Sequence, residues 1–416
     1  MIRQMFNKPQ KFNKFVTRQV DPMELFWDLI FVVTLRYIID SYVVNFSMYT
    51  FIIGLLVFLA TYLFWTNINI YSVNFYDVSH NNRLLMNLML SPLLIIASIT
   101  DYTNESSIYF LALSLILLKV MQAYIWARAI KVHKTDRSYR SLNYMYRNEI
   151  RVYLICAVLP TVLFVFPHMI IPVLIVSILT ELLLPSFLNR KKRIVYAFDR
   201  ILIAERYLLF IILIFGEGFI GVVHIFQHGV PITIEDLMRG LLVFWALYAM
   251  FLKLYDEYTI HKERISTTFM IFLTSYVISS MLLISSLIVI GMEYETVTFS
   301  LRIVGIMGTV TYNATYAYNA FRYLRKRKEH LLDCDIKYYK RDLYQSLVVL
   351  AVSVIAITFI SSTFILLVIL VSLIVYSTKH IALRSHIVEN IFVSDHEIVE
   401  VKEGASDFIE CVVDNK

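Results

Sequence analysis

Long apolar runs, broken by short polar segments, fill this chain from residue 24 to residue 383. A helix that crosses a bilayer needs about 20 mostly apolar residues. On that measure the pattern predicts twelve spans, at 24–44, 48–69, 84–100, 107–130, 150–166, 169–188, 203–226, 236–255, 265–291, 297–321, 343–360 and 363–383. Two runs are too long for a single helix at about 1.5 Å per residue. The run from Leu343 to Ile381 takes its turn at Ser361-Ser362-Thr363, and the run from Ile150 to Leu188 breaks at Pro167-His168. The fold class is all-α, an integral membrane protein of many spans.

Composition agrees. Of 416 residues 58% are hydrophobic and only 17% charged. Soluble domains carry about 25% charged residues, so an ordinary cytosolic enzyme and a disordered chain are both excluded. Cys156, Cys334 and Cys411 are scattered and predict neither a disulfide framework nor a zinc site. The basic stretch from Met1 to Val20 lacks the apolar core of a cleavable signal. The net charge of +6 matters less than its placement, and no nucleic-acid partner is expected.

With the N-terminus cytoplasmic, inside segments hold Lys8, Lys11, Lys14 and Arg18; Arg83; Lys131 to Arg147; Arg190 to Arg193; Lys262 and Arg264; and Arg322 to Arg341. Outside turns hold Asp40, Asp101, Glu105, Glu235, Asp236, Glu293 and Glu295 instead. That asymmetry is the positive-inside pattern, and it predicts twelve spans with both termini cytoplasmic. The basic segments would face anionic lipid. After Arg384 comes an acidic tail in which 397–402 and 407–413 alternate like a hairpin around Gly404.

The two halves resemble each other. Glu24 and Glu205, His80 and His261, and Arg83 and Arg264 are each 181 residues apart. Phe64-Trp65 and Phe244-Trp245 are 180 apart, and Tyr124 and Arg128 match Tyr318 and Arg322 at 194. Six spans per unit make the repeats parallel. The expected organisation is a basic N-terminal segment (1–23), a six-helix repeat (24–188), a basic linker (189–204), a second six-helix repeat (205–383) and an acidic tail (384–416).

Two segments carry a family resemblance. Met23-Glu-Leu-Phe-Trp-Asp-Leu-Ile-Phe-Val-Val33 is similar to the ELFFDLVFV signature of the bacterial low temperature requirement protein A family. Ala204-Glu-Arg-Tyr-Leu-Leu-Phe210, continuing to Phe215-Gly-Glu217, resembles that family's second signature. Trp27 stands where Phe is usual, and Gly218 where Ser is frequent. The resemblance implies a multi-pass membrane protein linked to growth in the cold and supplies no catalytic residues.

Charges inside spans cost at least about 2.5–3.5 kcal/mol each, so they mark where to look. Glu24, Asp28, Arg36 and Asp40 occupy one half of the first span, and Glu205, Glu217, His224 and His228 one half of the seventh. The candidate solute or ion pathway is Glu24, Asp28, Arg36, Glu205 and Glu217. Arg36 and Glu217 each lie about 18 Å into the membrane, at equivalent repeat positions with opposite charge, and are candidates for a central ion pair. The cytoplasmic charge partners are His80, Arg83, His261 and Arg264. Two bland readings compete: Glu24 as part of an Asp21-Pro22 helix cap, and Glu24, Asp28 and Glu205 neutralised by Arg83, Arg128, Arg264 or Arg322. Lys119, Glu181 and Arg302 also fall within spans, either lining a path or paired locally.

Gly216-Glu-Gly-Phe-Ile-Gly221 satisfies a dinucleotide pattern but lacks its strand. Inside an apolar span, such glycines allow close helix approach or local unwinding. His224 and His228 read as solvated rather than metal-binding, and no cofactor is expected. With no nucleophile and base arrangement in view, the expectation is a transporter or channel rather than an enzyme. The alternative is a lipid-handling factor or membrane enzyme acting in cold adaptation, and a third is a sensor or assembly partner.

Overall fold

The computed structural model describes residues 22–43, 46–74, 80–132, 140–188, 200–228, 233–261, 267–292, 297–326 and 333–378. These contain twelve α-helices: α1 (Pro22–Val43), α2 (Met48–Asn74), α3 (His80–Ala97), α4 (Glu105–Val132), α5 (Arg140–Val158), α6 (Ile170–Leu188), α7 (Arg200–His228), α8 (Ile234–His261), α9 (Thr267–Met292), α10 (Phe299–Lys326), α11 (Asp333–Phe359) and α12 (Thr363–Thr378). Each expected span has one helix. Seven are long and apolar enough to cross a membrane, and Met86–Ala97 and Thr363–Ser377 are shorter apolar stretches. The protein is an all-α polytopic membrane protein. The basic N-terminal segment, the linker and the tail with its expected hairpin lie outside the described residues, apart from their edges.

Local sequence sets the helix starts. Thr233 and Asp236 cap α8 reciprocally, Thr233 N donating to Asp236 Oδ2 at 2.7 Å and Asp236 N to Thr233 Oγ1 at 3.2 Å. Ser47 and Thr50 do the same for α2, and Asn104 Oδ1 accepts from Ser106 N before α4. In the turn ahead of it, Asp101 accepts from Thr103 N and Oγ1 at 2.8 and 2.7 Å. Those two donors, the backbone one first, hold the exposed Asp101 carboxyl below its ordinary range. The turn at Ser361-Ser362 is present between α11 and α12.

The fifth and eleventh spans differ from expectation in the same way. Both α5 and α11 begin ten residues early, at Arg140 and Asp333. Their first turns are too polar to register as apolar runs, yet each buries one aromatic face: Tyr146 against Trp126, and Tyr339 against Ala320. At its other end α5 stops at Val158 and continues as a 3-10 turn, Leu159–Phe164. Pro160 is the reason, because its ring removes a backbone donor and crowds the preceding turn.

The chain divides into two compact units, 1–213 and 214–416, so α7 contributes its first half to one and its second half to the other. Within the first unit α3 packs on α4, α4 on α5, α5 on α6, and α2 on α6. Within the second the corresponding pairs recur: α9 on α10, α10 on α11, α11 on α12, and α8 on α12.

Glycines on α7 and α10 let helices approach. A Cβ on Gly221 would meet Ile288 Cδ1 at 2.5 Å, and one on Gly218 would lie 3.2 Å from Leu247. α7 is a continuous helix, so of the two readings open for these glycines, close approach rather than local unwinding is their role. Gly308 on α10 is tighter, because a Cβ there would sit 3.0 Å from Leu282 O and 3.1 Å from Leu283 Cα of α9, which are backbone and cannot swing aside. Gly308→Val should lower the melting temperature of the detergent-purified protein, at a cost of about 1–3 kcal/mol. Gly216→Ala, with nothing within 4 Å of the new methyl, should leave it unchanged or raise it slightly. Equal melting curves for the two variants would contradict the packing.

Candidate functional site

In the first unit, the two segments that carry the signatures meet. Asp28 of α1 is fully buried and accepts three hydrogen bonds. Trp65 Nε1 of α2 donates to its Oδ1 at 2.7 Å. From α7, Arg206 Nη2 donates to the same oxygen at 2.8 Å and Nε to Oδ2 at 3.3 Å. The remaining Arg206 nitrogen, Nη1, donates to Ser72 Oγ at 2.7 Å and lies 3.6 Å from Glu24 Oε1. One guanidinium thus holds two carboxylates and a hydroxyl, all buried, using the planar fork that suits carboxylate geometry.

Aromatic packing seals this cluster. Trp65 stacks on Phe210 at 4.0 Å between centroids and meets Tyr207 edge-on at 5.1 Å. Phe210 and Tyr207 lie one turn and one residue from Arg206, so the second signature supplies both the charge and its apolar cover. Trp27, where Phe is usual, donates its indole N–H to Asn87 Oδ1 of α3 at 2.9 Å.

A second buried cluster joins four helices of the same unit. Lys119 Nζ of α4 donates to Glu181 Oε2 of α6 at 2.6 Å. Asn67 Nδ2 of α2 donates to Glu181 Oε1 at 3.2 Å, and Tyr153 OH of α5 donates to Asn67 Oδ1 at 2.6 Å. The two charges are at most 4% exposed. Local pairing, one of the two readings open for Lys119 and Glu181, is what the geometry shows.

The second unit holds buried charges too. Lys253 of α8 lies 3.8 Å from Asp342 of α11 and 3.7 Å above the Tyr316 ring of α10. Glu257, one turn from Lys253, is fully buried. Arg239 Nη2 donates to Glu235 Oε1 at 2.7 Å and to Thr363 Oγ1 at 3.1 Å. Arg302 donates to the carbonyl oxygens of Ile357 and Thr358. Among the described residues no group of three His, Cys, Asp or Glu could hold a metal ion.

Glu24 and Asp28 come together, with Arg206 as the partner that sequence reasoning missed. Arg322, one of the arginines expected to serve them, lies instead over Tyr318. Glu24 sits in the first turn of α1 as the capping reading had it, while its carboxylate faces Arg206; Asp21, the expected cap, lies outside the described residues. Arg36 donates from Nε to Asp40 Oδ2 on its own helix at 2.7 Å. Glu205 and Glu217 are half-buried on α7. Arg36 and Glu217 belong to different units. His80 and Arg83 open α3 and His261 closes α8, with side chains outside the described set; Arg264 lies outside it altogether.

The signal for Arg206 was present: an arginine inside an apolar run, next to a signature glutamate. Lys253 carried the same signal, whereas Glu257 and Asp342 fell just beyond spans drawn too short. The model of the family described as bacterial low temperature requirement A protein matches residues 19–379. No curated protein and no solved structure matches the chain.

Proposed function

The chain belongs to the bacterial low temperature requirement A family, and we propose that it is a transporter that moves a small solute or ion across the bacterial inner membrane. The observation that carries this reading is the pair of charge clusters buried in the first unit, Arg206 with Asp28 and Glu24, and Lys119 with Glu181. Ionisable groups inside spanning helices are expensive and by default mark a substrate, ion or proton route. A protein that only needed to be stable would pack apolar side chains there at equal or lower cost. The recurrence of the same helix pairs in both units supports a duplicated six-helix architecture, which transporters commonly use. The basic segments support cytoplasmic termini. With no nucleophile and base constellation in the clusters described, no catalytic step is proposed and no cofactor is invoked.

The test is charge movement in proteoliposomes on a solid-supported membrane. Tenfold gradients of sodium chloride, potassium chloride, protons and a mixture of neutral amino acids are the probes. At least one should give currents above empty liposomes, reduced tenfold or more in Lys119→Met/Glu181→Leu, whose paired replacement keeps the bundle neutral. Currents at the empty-liposome level for every probe, with accelerated scrambling of a fluorescent phospholipid, would overturn transport in favour of lipid handling.

A further inference from the structure

We propose that Glu149 is a proton-binding site of the first unit, and that Tyr153 and Asn67 pass its protonation state to the Lys119 and Glu181 pair. The direction of the hydrogen bonds is what points to it. Asn67 Nδ2 has two hydrogens and donates both, one to Leu63 O at 3.0 Å and one to Glu181 Oε1 at 3.2 Å. Its Oδ1 is therefore the atom that faces Tyr153 OH at 2.6 Å, and the hydroxyl is the donor there. A phenol has one hydrogen. Toward any other partner Tyr153 can only accept.

Glu149 is such a partner. It precedes Tyr153 by four residues on α5, so the two share a face, and the tyrosine leans back over the turn that holds Glu149. The Glu149 carboxyl hydrogen-bonds the Tyr153 hydroxyl. With the phenol hydrogen committed to Asn67, the hydrogen in that bond is the carboxyl's own. Glu149 is thus held as a carboxylic acid.

The surroundings favour that neutral form. Glu149 is half-buried, and Glu181, the one charged residue of α6, opposes a second negative charge nearby. On α4, Lys119 is engaged with Glu181, and Arg128 points to the opposite side of the helix from Lys119. Helix α2 carries no charged residue. On α5 itself Arg147 and Arg151 are exposed, Arg151 donating to Asn148 Oδ1 at 3.3 Å, while Tyr146 packs on Trp126 and Cys156 donates to Ser177 O. When Glu149 releases its proton to water, the carboxylate takes the phenol hydrogen as its donor. Tyr153 O–H then swings from Asn67 to Glu149, and the amide that bonds Glu181 loses the partner that held its oxygen. Proton binding at Glu149 is independent of whether a solute crosses the protein.

The experiment is infrared difference spectroscopy of the detergent-purified full chain, titrated from roughly pH 5.5 to 9, above the pKa of about 4.3 at which an ordinary glutamate ionises. The carbonyl stretch of a protonated carboxyl should disappear as the pH rises, and the part due to one carboxyl should be missing from Glu149→Gln. That variant keeps the shape and neutrality of the acid. Asn67→Leu frees the phenol hydrogen for the carboxylate, so it should weaken proton binding at Glu149 by about tenfold or more, the worth of one hydrogen bond to a charged group, and move the midpoint to lower pH. Where either variant does not fold, Glu149→Leu and Asn67→Ala take their places. Ser91→Ala, on the exposed face of α3, should titrate like the wild type. Equal difference spectra for wild type and Glu149→Gln overturn the proposal. So does a midpoint that stays in place or rises in Asn67→Leu.

Discussion

Replacing Arg206 with methionine should abolish recovery of folded protein from the membrane, or lower its melting temperature more than any other single change proposed. The guanidinium lies against both Glu24 and Asp28, and all three side chains are at most 4% exposed. Breaking a buried pair from one side costs about 3–5 kcal/mol, because the stranded charge remains without water. Here Asp28 loses both of its guanidinium donors at once. Arg206→Lys should fall between methionine and wild type. An ammonium restores charge, yet it cannot donate to both Asp28 oxygens and still reach Ser72, as Arg206 does through Nε, Nη1 and Nη2. Asp28→Asn combined with Arg206→Met should recover part of the loss, since an amide strands no charge. Fluorescence-detected size exclusion and a melting curve for each variant read the order directly. If Arg206→Met is as stable as wild type, Arg206 does not organise this cluster.

The Lys119 and Glu181 pair predicts a sign change. Lys119→Met alone should destabilise by about 3–5 kcal/mol, and so should Glu181→Leu, since each leaves its partner buried and charged. The double replacement should return most of that stability, because apolar groups of similar size satisfy an interior from which both charges have gone. Asn67 and Tyr153 limit the recovery. Asn67 Nδ2 donates to Glu181 and Asn67 Oδ1 accepts from Tyr153, so losing Glu181 leaves one amide hydrogen without its acceptor, worth about 1–3 kcal/mol. A double-mutant cycle in detergent measures the coupling. Strictly additive losses would mean that the two side chains do not depend on each other, contrary to a 2.6 Å contact.

These two clusters separate what each kind of reasoning could reach. Glu24 and Asp28 stood out because a carboxylate in an apolar run has few explanations. Their partner did not, because sequence distance is no guide to contact across helices: Asp28 and Arg206 are 178 residues apart. Lys119 and Glu181 were each visible as isolated charges, and only the packing of α4 on the helices around it made them a pair. Helix boundaries failed where polar residues form an amphipathic first turn. That happened at Arg140–Glu149 and at Asp333–Asp342, and it hid the acid that faces Lys253.

From the sequence alone came the membrane, the twelve helices and the stretches that hold the signatures. The reason is that hydrophobic period, helix length and the cost of charge in lipid are properties of local sequence, readable one segment at a time. Only the tertiary structure decided that the two signatures meet through Arg206, that Lys119 finds Glu181, and that the α7 glycines are spent on close approach to other helices. Each of those depends on which helix faces which, and that is set by side-chain packing between segments far apart in the chain.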